Sequence, residues 1–376
     1  MSGKTTDLLN SNYIIDGVQM ALTPARMLRE CMVEPPLEPD GDAPALADER
    51  EDPAPDNHSY DENLIERYAQ LVNYLEKREL PIPFAGPYSA GKVAQALIDA
   101  IWMNGHFRLG DLTLKADWKW NDKEIGLPAA FYSSVEEVCS YIDALGVKIE
   151  KYSLTSGAPA VSFKASTVAE VDDEEITEEE SLLRDLPYRT VNPRMSRRRK
   201  VATGFTPEAQ DWILYIPFDP CDFRLGGSTL SQALHTTPSI APDIQDADYF
   251  MDCYEVVREL VEDGVVKAGA TVGEGGLMMA LRSLSGITGA DVCIRDICKA
   301  YGDESPVRVL FSEVPGVVIQ IADIDYDYVD AELILQDVVY YPIGHPTPGK
   351  PGVNLTGKVE IPQILESLLN TLEGED

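Results

Sequence analysis

Val266-Lys-Ala-Gly-Ala-Thr-Val-Gly-Glu-Gly-Gly-Leu-Met-Met-Ala-Leu281 and, further on, Val309-Leu-Phe-Ser-Glu-Val-Pro-Gly-Val-Val-Ile-Gln-Ile321 are the stretches on which the fold of this chain turns. Gly275 and Gly276 let the backbone pass through a tight turn into a helix expected at 275–285, because glycine alone enters left-handed conformations without steric cost. The second stretch places one carboxylate, Glu313, just before an apolar strand expected at 317–322.

Around these stretches the region 205–346 alternates strands and helices. It reads as strand 212–217, helices 229–235 and 246–263, helix 275–285, strands 290–294 and 317–322, helix 328–336 and strand 338–343. Such alternation predicts a layered α/β domain. Ahead of it, 60–168 mixes short apolar strands with a helix from Lys92 to Trp102, and 347–376 adds a closing strand and helix. Residues 1–59 hold an amphipathic segment, Ala21–Met32, with Pro24 in its first turn, and then a Pro/Asp/Glu-rich linker too poor in apolar side chains to offset its ordering entropy. A helix from Ser59 or Asp61 to about Arg78 would present Leu64, Tyr68, Leu71 and Leu75 on one face. Residues 169–204 form a charged insertion, acidic over 170–180 and basic over 194–200, with Arg197–Lys200 open to phosphate or RNA as well as to a solvated-loop reading. The two stretches 35–58 and 169–200 are expected to be mobile.

A chain of 376 residues is long enough for more than one core. With 31 Lys and Arg against 64 Asp and Glu, its formal net charge is −33, which opposes broad association with nucleic acid or anionic membranes. No stretch approaches the roughly 20 apolar residues of a membrane span, and the N-terminus lacks the order of a secretory signal, so a cytoplasmic setting is expected. Cys31, Cys139, Cys221, Cys253, Cys293 and Cys298 show neither a disulfide framework nor a zinc-type pair. His58, His106, His235 and His345 are scattered. No catalytic residue and no metal ligand set follow from these spacings.

The two opening stretches resemble the C-terminal domain of the aminoimidazole ribonucleotide (AIR) synthase superfamily, most closely the second half of phosphoribosylformylglycinamidine (FGAM) synthase. Leu80–Phe84, Lys119–Pro128, Thr206-Pro207, Trp212–Pro217, Leu225–Leu234, Gly344–Thr347 and Val359–Leu369 follow in the family's order. The resemblance implies an AIR-synthase-like α+β fold: a smaller dimerisation-type sheet domain followed by the layered α/β domain. In the family that sheet pairs with a second copy and closes a barrel, which removes open strand edges. A homodimer or larger protein assembly is therefore expected. Leu112, Leu114, Trp118, Trp120, Phe131 and Tyr132 would supply the pairing face, or else fill the domain's own core.

The family's motif reads roughly His-Asp-x-Ser-Asp-Gly-Gly-Leu. Ala270, Thr271, Gly273 and Glu274 stand at its His, first Asp, Ser and second Asp. Ala270 cannot move a proton, a loss on the order of 10² to 10⁴ in rate wherever the family uses that imidazole. Thr271 removes a carboxylate from a Mg²⁺ site that needs several oxygen ligands. Glu274, Gly275, Gly276, Glu313, Gly226, Gly227, Ser228, Gly86 and Ser89 remain as vestigial nucleotide or Mg²⁺ positions. Each also has a structural reading. Gly275 and Gly276 make a turn or cradle a phosphate at a helix N-terminus, Glu313 caps amides or binds a ligand, and Ser228 caps the next helix. Gly86-Pro-Tyr-Ser-Ala-Gly-Lys92 has the spacing of a phosphate-binding loop, but Val93 and Pro87 break its chemistry.

The expectation is a degenerate FGAM-synthase-like protein that has lost catalysis and acts as an assembly or interaction protein, of viral or phage origin and then located in a host cell or virion. It would need no cofactor, with ATP and Mg²⁺ required only if the family site is retained. The alternatives are an ATP-dependent FGAM synthase subunit of purine biosynthesis, an amidoligase completing its site with another chain, and a nucleotide-binding sensor without turnover.

Overall fold

The computed structural model describes residues 5–33, 80–103, 108–121, 126–167, 199–233, 240–302 and 305–356. The linker, the helix expected before Arg78, most of the charged insertion, His58, His106, His235 and the closing helix lie outside the described residues.

The chain begins with helix α1 (Thr5–Asn10), a two-residue hairpin of β1 (Ile14–Ile15) and β2 (Val18–Gln19), and α2 (Pro24–Glu30), where Pro24 occupies the first turn. Proline suits that position because its missing N–H has no intrahelical partner there. Next comes α3 (Ala85–Ile101), preceded by a single 3₁₀ turn at Ile82–Phe84. The expected helix starts seven residues earlier than its apolar spacing suggested, so Gly86–Lys92 is helical and no phosphate-binding loop exists there. Pro87 is tolerated in the first turn for the reason that admits Pro24.

Strands β3 (Leu112–Trp120), β4 (Lys148–Ser156) and β5 (Ala160–Thr167) form a three-stranded sheet in the order β4-β3-β5, parallel on one side of β3 and antiparallel on the other. Helix α4 (Leu127–Ala144) connects β3 to β4, as a parallel pair requires. Leu112, Leu114, Trp118, Trp120, Phe131 and Tyr132 are all buried within the chain. They fill its own core, and the pairing face expected from them does not exist. Period-two alternation turns Lys115, Asp117 and Lys119 outward. Lys115 stands in register with Lys151 on β4 and Lys164 on β5, so one rung of the outer face carries three lysines. The start of β4 is met by the N-terminal segment, since Val33 N donates to Ile149 O and Ile149 N donates to Cys31 O.

The second sheet has six strands in the order β11-β8-β10-β6-β9-β7, built from β6 (Trp212–Pro217), β7 (Val266–Val272), β8 (Gly289–Val292), β9 (Gly316–Ile321), β10 (Tyr341–Thr347) and β11 (Val353–Leu355). Its helices are α5 (Thr229–Ala233), α6 (Ala247–Glu262), α7 (Gly276–Leu284), α8 (Arg295–Ala300), α9 (Pro306–Phe311) and α10 (Tyr326–Leu335). Leu214, Ile216, Val317 and Ile319 face α6 and share one apolar core with α3, α4 and the small sheet. Ile213, Tyr215 and Val318 face the opposite way, into a second core with α7 and α9. The sheet is covered on both faces, which explains its near-continuous apolar strands.

Most expected elements of 205–346 differ from the observed ones by one or two residues; the last strand, expected at 338–343, runs instead from 341 to 347. Strand β7 was not legible, because Ala268-Gly-Ala270 carries little β-propensity. Its small residues answer to packing: a Cβ on Gly269 would lie 2.6 Å from the ring of Trp102.

Candidate functional site

Helix α3 lies against the C-terminal half of β7 and presents Tyr88, Lys92, Gln95, Asp99 and Trp102 along one side. Steps of four and three residues place these side chains in a single row on a helix. Each meets a residue of the degenerate motif. Tyr88 Oη donates to Glu274 Oε1 at 2.9 Å, and Lys92 Nζ reaches the same oxygen at 2.5 Å. A Cβ on Gly273 would lie 2.8 Å from Gln95. Thr271 Oγ1 accepts from Trp102 Nε1 at 2.8 Å and donates to Asp99 Oδ1 at 2.5 Å. At the far end Arg199 lies over the Trp102 ring and donates to the Gly269 carbonyl at 2.8 Å. Thr271, Gly273 and Glu274 thus take part in contacts that hold α3 to the large sheet.

Beside this row a cleft opens, lined from α3 by Tyr88, Gly91, Lys92 and Gln95 and from the other side by Gly226, Gly227, Ser228, Pro242, Ile244 and Glu313. Glu313 Oε1 accepts from the Thr229 amide (2.7 Å), the Thr229 hydroxyl (2.6 Å) and the Gly275 amide (2.9 Å). One carboxylate therefore joins the N-terminal ends of α5 and α7, where negative charge is favoured. The Gly276 amide donates to Gly273 O at 2.9 Å, so the first two amides of the α7 turn are both engaged.

The remaining predicted positions divide. Gly275 and Gly276 both have positive φ, and a Cβ on Gly276 would lie 2.7 Å from the Leu310 and Ser312 carbonyls. Gly226 passes so close to Ile240 that a Cβ would lie 2.4 Å from its carbonyl oxygen, and Gly227 has a φ of 74°. Ser228 Oγ accepts from Ser231 N at 3.2 Å and donates to Leu225 O at 2.7 Å, a helix cap. Gly86 and Ser89 do not join the cleft. Ser89 lies in a buried chain of hydroxyls, 2.7 Å from Ser134 Oγ, which also accepts from Trp118 Nε1 at 3.1 Å. A Cβ on Gly86 would meet Ser133 on the same helix. Two residues of the sequence 86–92 other than those expected, Tyr88 and Lys92, are the ones that reach the motif. Asp99 and Trp102 were missed, although side chains at heptad spacing on an alanine-rich helix were a readable signal, and Arg199 of the basic run packs on Trp102 instead of standing in a solvated loop.

These residues do not fit Mg²⁺. The ion takes near-octahedral oxygen ligands, whereas Glu274 is neutralised by Lys92 and Glu313 is committed to backbone amides. Among the described residues no group of three or more His, Cys, Asp or Glu side chains is placed to hold a metal. Asp99 is shifted towards the neutral acid by desolvation, against the pull of Thr271, Arg199 and Lys92. His345 packs on Trp212 with the rings tilted by 52° and their centroids 4.2 Å apart, far in sequence from the motif.

No family model matches the chain. It is 25% identical to phosphoribosylformylglycinamidine synthase of Drosophila melanogaster over 266 residues, covering 67% of this chain and 18% of that protein. The human enzyme is 24% identical over 220 residues, covering 58% and 15%. A probable chloroplastic/mitochondrial phosphoribosylformylglycinamidine synthase of Arabidopsis thaliana is 25% identical over 258 residues, covering 68% and 17%. The chain thus spans less than a fifth of the length of these relatives. Among solved structures, Thermotoga maritima PurL complexed with FGAR aligns with a TM-score of 0.49 at 12% identity, covering 80% of this chain and 44% of that one. The chain resembles FGAM synthase over about two thirds of its length.

Proposed function

We propose that this relative of FGAM synthase has lost the ATP-dependent amidoligase reaction and acts through its surfaces, as an assembly or interaction protein. The observation that carries the proposal is the Lys92–Glu274 pair. Glu274 is the one carboxylate retained at the motif's acidic positions, and it faces a lysine instead of open space. Thr271 and Ala270 supply neither of the other groups, and Gly275 and Gly276 have their amides satisfied within the chain. A triphosphate and its Mg²⁺ would have to displace an ion pair at 2.5 Å and two backbone hydrogen bonds to take up this position.

Isothermal titration of the full chain with ATP, ADP and Mg²⁺, together with an assay for ammonia- or glutamine-dependent FGAM formation, tests this. The expected result is no binding heat and no product. Heat without product would replace the proposal by a nucleotide sensor. Product formation abolished by Glu274→Ala would replace it by an active subunit.

A further inference from the structure

Helix α10 is apolar on both of its sides, yet the described residues cover only one. Val329 and Leu333 are buried against the sheet and α6. The opposite arc, continuing from the preceding turn, carries Ile324, Tyr328, Ile334 and Leu335, which are 88%, 43%, 64% and 75% exposed. Offsets of four and eleven residues from Ile324 put Tyr328 and Leu335 on one ridge with it, and Ile334 lies to the side of that ridge. A surface helix ordinarily turns polar residues outward, and one that is apolar all round is ordinarily enclosed. Contiguous exposed apolar surface of this kind marks a contact site.

Its rim is of one sign. No lysine or arginine occurs between Arg308 and Lys350. Asp323, Asp327 and Asp337 are exposed around the ridge, and α6 adds exposed Glu259 and Asp263 beside it; Asp263 accepts from Tyr328 Oη at 3.0 Å. Among the described residues, the cations on α6 and its flank are already used: Arg258 is buried against Glu255 and Glu259, and Lys200 pairs with Glu262 at 2.7 Å.

We propose that the outward ridge of α10, Ile324–Tyr328–Leu335 within its acidic rim, docks a basic amphipathic helix of a partner protein. Two helices pack by setting ridges into grooves. The acidic rim selects a partner whose apolar stripe is flanked by lysine or arginine, and repels one flanked by acids. This deepens the reading of the chain as an interaction protein but stands on different residues. Nucleotide turnover would overturn that reading and leave the ridge where it is.

The test is a fluorescence-anisotropy titration of the full chain with a labelled synthetic helix of about 18 residues, leucines on one stripe and lysines elsewhere, at about 0.15 M salt. A second probe replaces the lysines by glutamates. The expected result is saturable binding of the lysine probe only, weakened about tenfold or more by Ile324→Ser/Leu335→Ser, which removes apolar surface without changing charge. Because both positions are exposed, the double variant should keep its circular dichroism and unfolding midpoint. Equal binding to the double variant would mean charge attraction alone and overturn the proposal, as would equal binding of the glutamate probe or no binding of either. Binding that appears only after deletion of 357–376 would make the chain's own segment the occupant. A dimer dissociated by the double variant in sedimentation would make it a second copy. Either outcome overturns the assignment to a basic partner.

Discussion

Lys92 Nζ lies 2.5 Å from Glu274 Oε1, joining the first half of α3 to the turn that starts α7. The two residues are 182 positions apart, and Tyr88 Oη binds the same carboxylate oxygen one helical turn earlier. Both side chains keep part of their surface in water, 20% for Lys92 and 31% for Glu274, so the pair is intermediate between a surface ion pair and a buried one. A double-mutant cycle of Lys92→Met and Glu274→Gln, read by urea unfolding, should give a coupling energy of about 1 kcal/mol. Zero coupling would remove the ion pair as the element closing the motif.

Glu313 is expected to matter for stability without any ligand. Glu313→Gln keeps one acceptor oxygen but removes the charge that serves three donors at two helix starts. A loss of about 2 kcal/mol is expected, with faster amide exchange at both Thr229 and Gly275. A neutral substitution with unchanged exchange would return Glu313 to a ligand role.

Tyr13 donates to the Leu8 carbonyl at 2.7 Å from a buried position, and burial pushes its phenol up to about 12. Its folded pKa is therefore raised above that of the unfolded chain. The stability it contributes is complete below about pH 10 and is lost as the pH rises towards 12. Tyr13→Phe should cost about 1 kcal/mol at neutral pH, and the gap to the parent should close on alkaline titration of the unfolding curve. A gap independent of pH would contradict the burial of this hydroxyl.

The rung Lys115–Lys151–Lys164 sets like charges opposite one another, with Glu150 the one described acid paired to Lys115, at 3.4 Å. Lys151→Glu should stabilise the chain by about 0.2 to 1 kcal/mol, measured by the urea midpoint at low salt and diminishing as salt is added. Two copies meeting through this face would bring lysines against lysines. If the same substitution instead dissociated a dimer, the face would be an interface with acidic groups of the other copy.

Several features were readable without coordinates because they depend on near neighbours in sequence. Strand 212–217 announced itself as an unbroken apolar run, Pro24 marked the start of α2, and Gly275-Gly276 marked the turn into α7. Gly86 and Ser89 were misplaced because a glycine- and serine-containing run reads as a loop. That run is helical here, since its small residues let α3 approach α4 closely enough for Ser89 and Ser134 to share a hydrogen bond. The six apolar residues of the small sheet could be counted from the sequence, but not assigned to a partner or to the chain's own core.

The amino-acid sequence by itself determined most of the strands and helices of 205–346 and the resemblance to FGAM synthase, since each of these is a property of residues close together in the chain. Only the tertiary structure decided what the remaining groups do. Lys92 meets Glu274, Asp99 meets Thr271, and Glu313 meets Thr229 and Gly275 across separations of 182, 172, 84 and 38 residues. Whether a carboxylate is free to bind an ion or is already neutralised depends on which distant donors packing brings within hydrogen-bonding distance, and no local pattern records that.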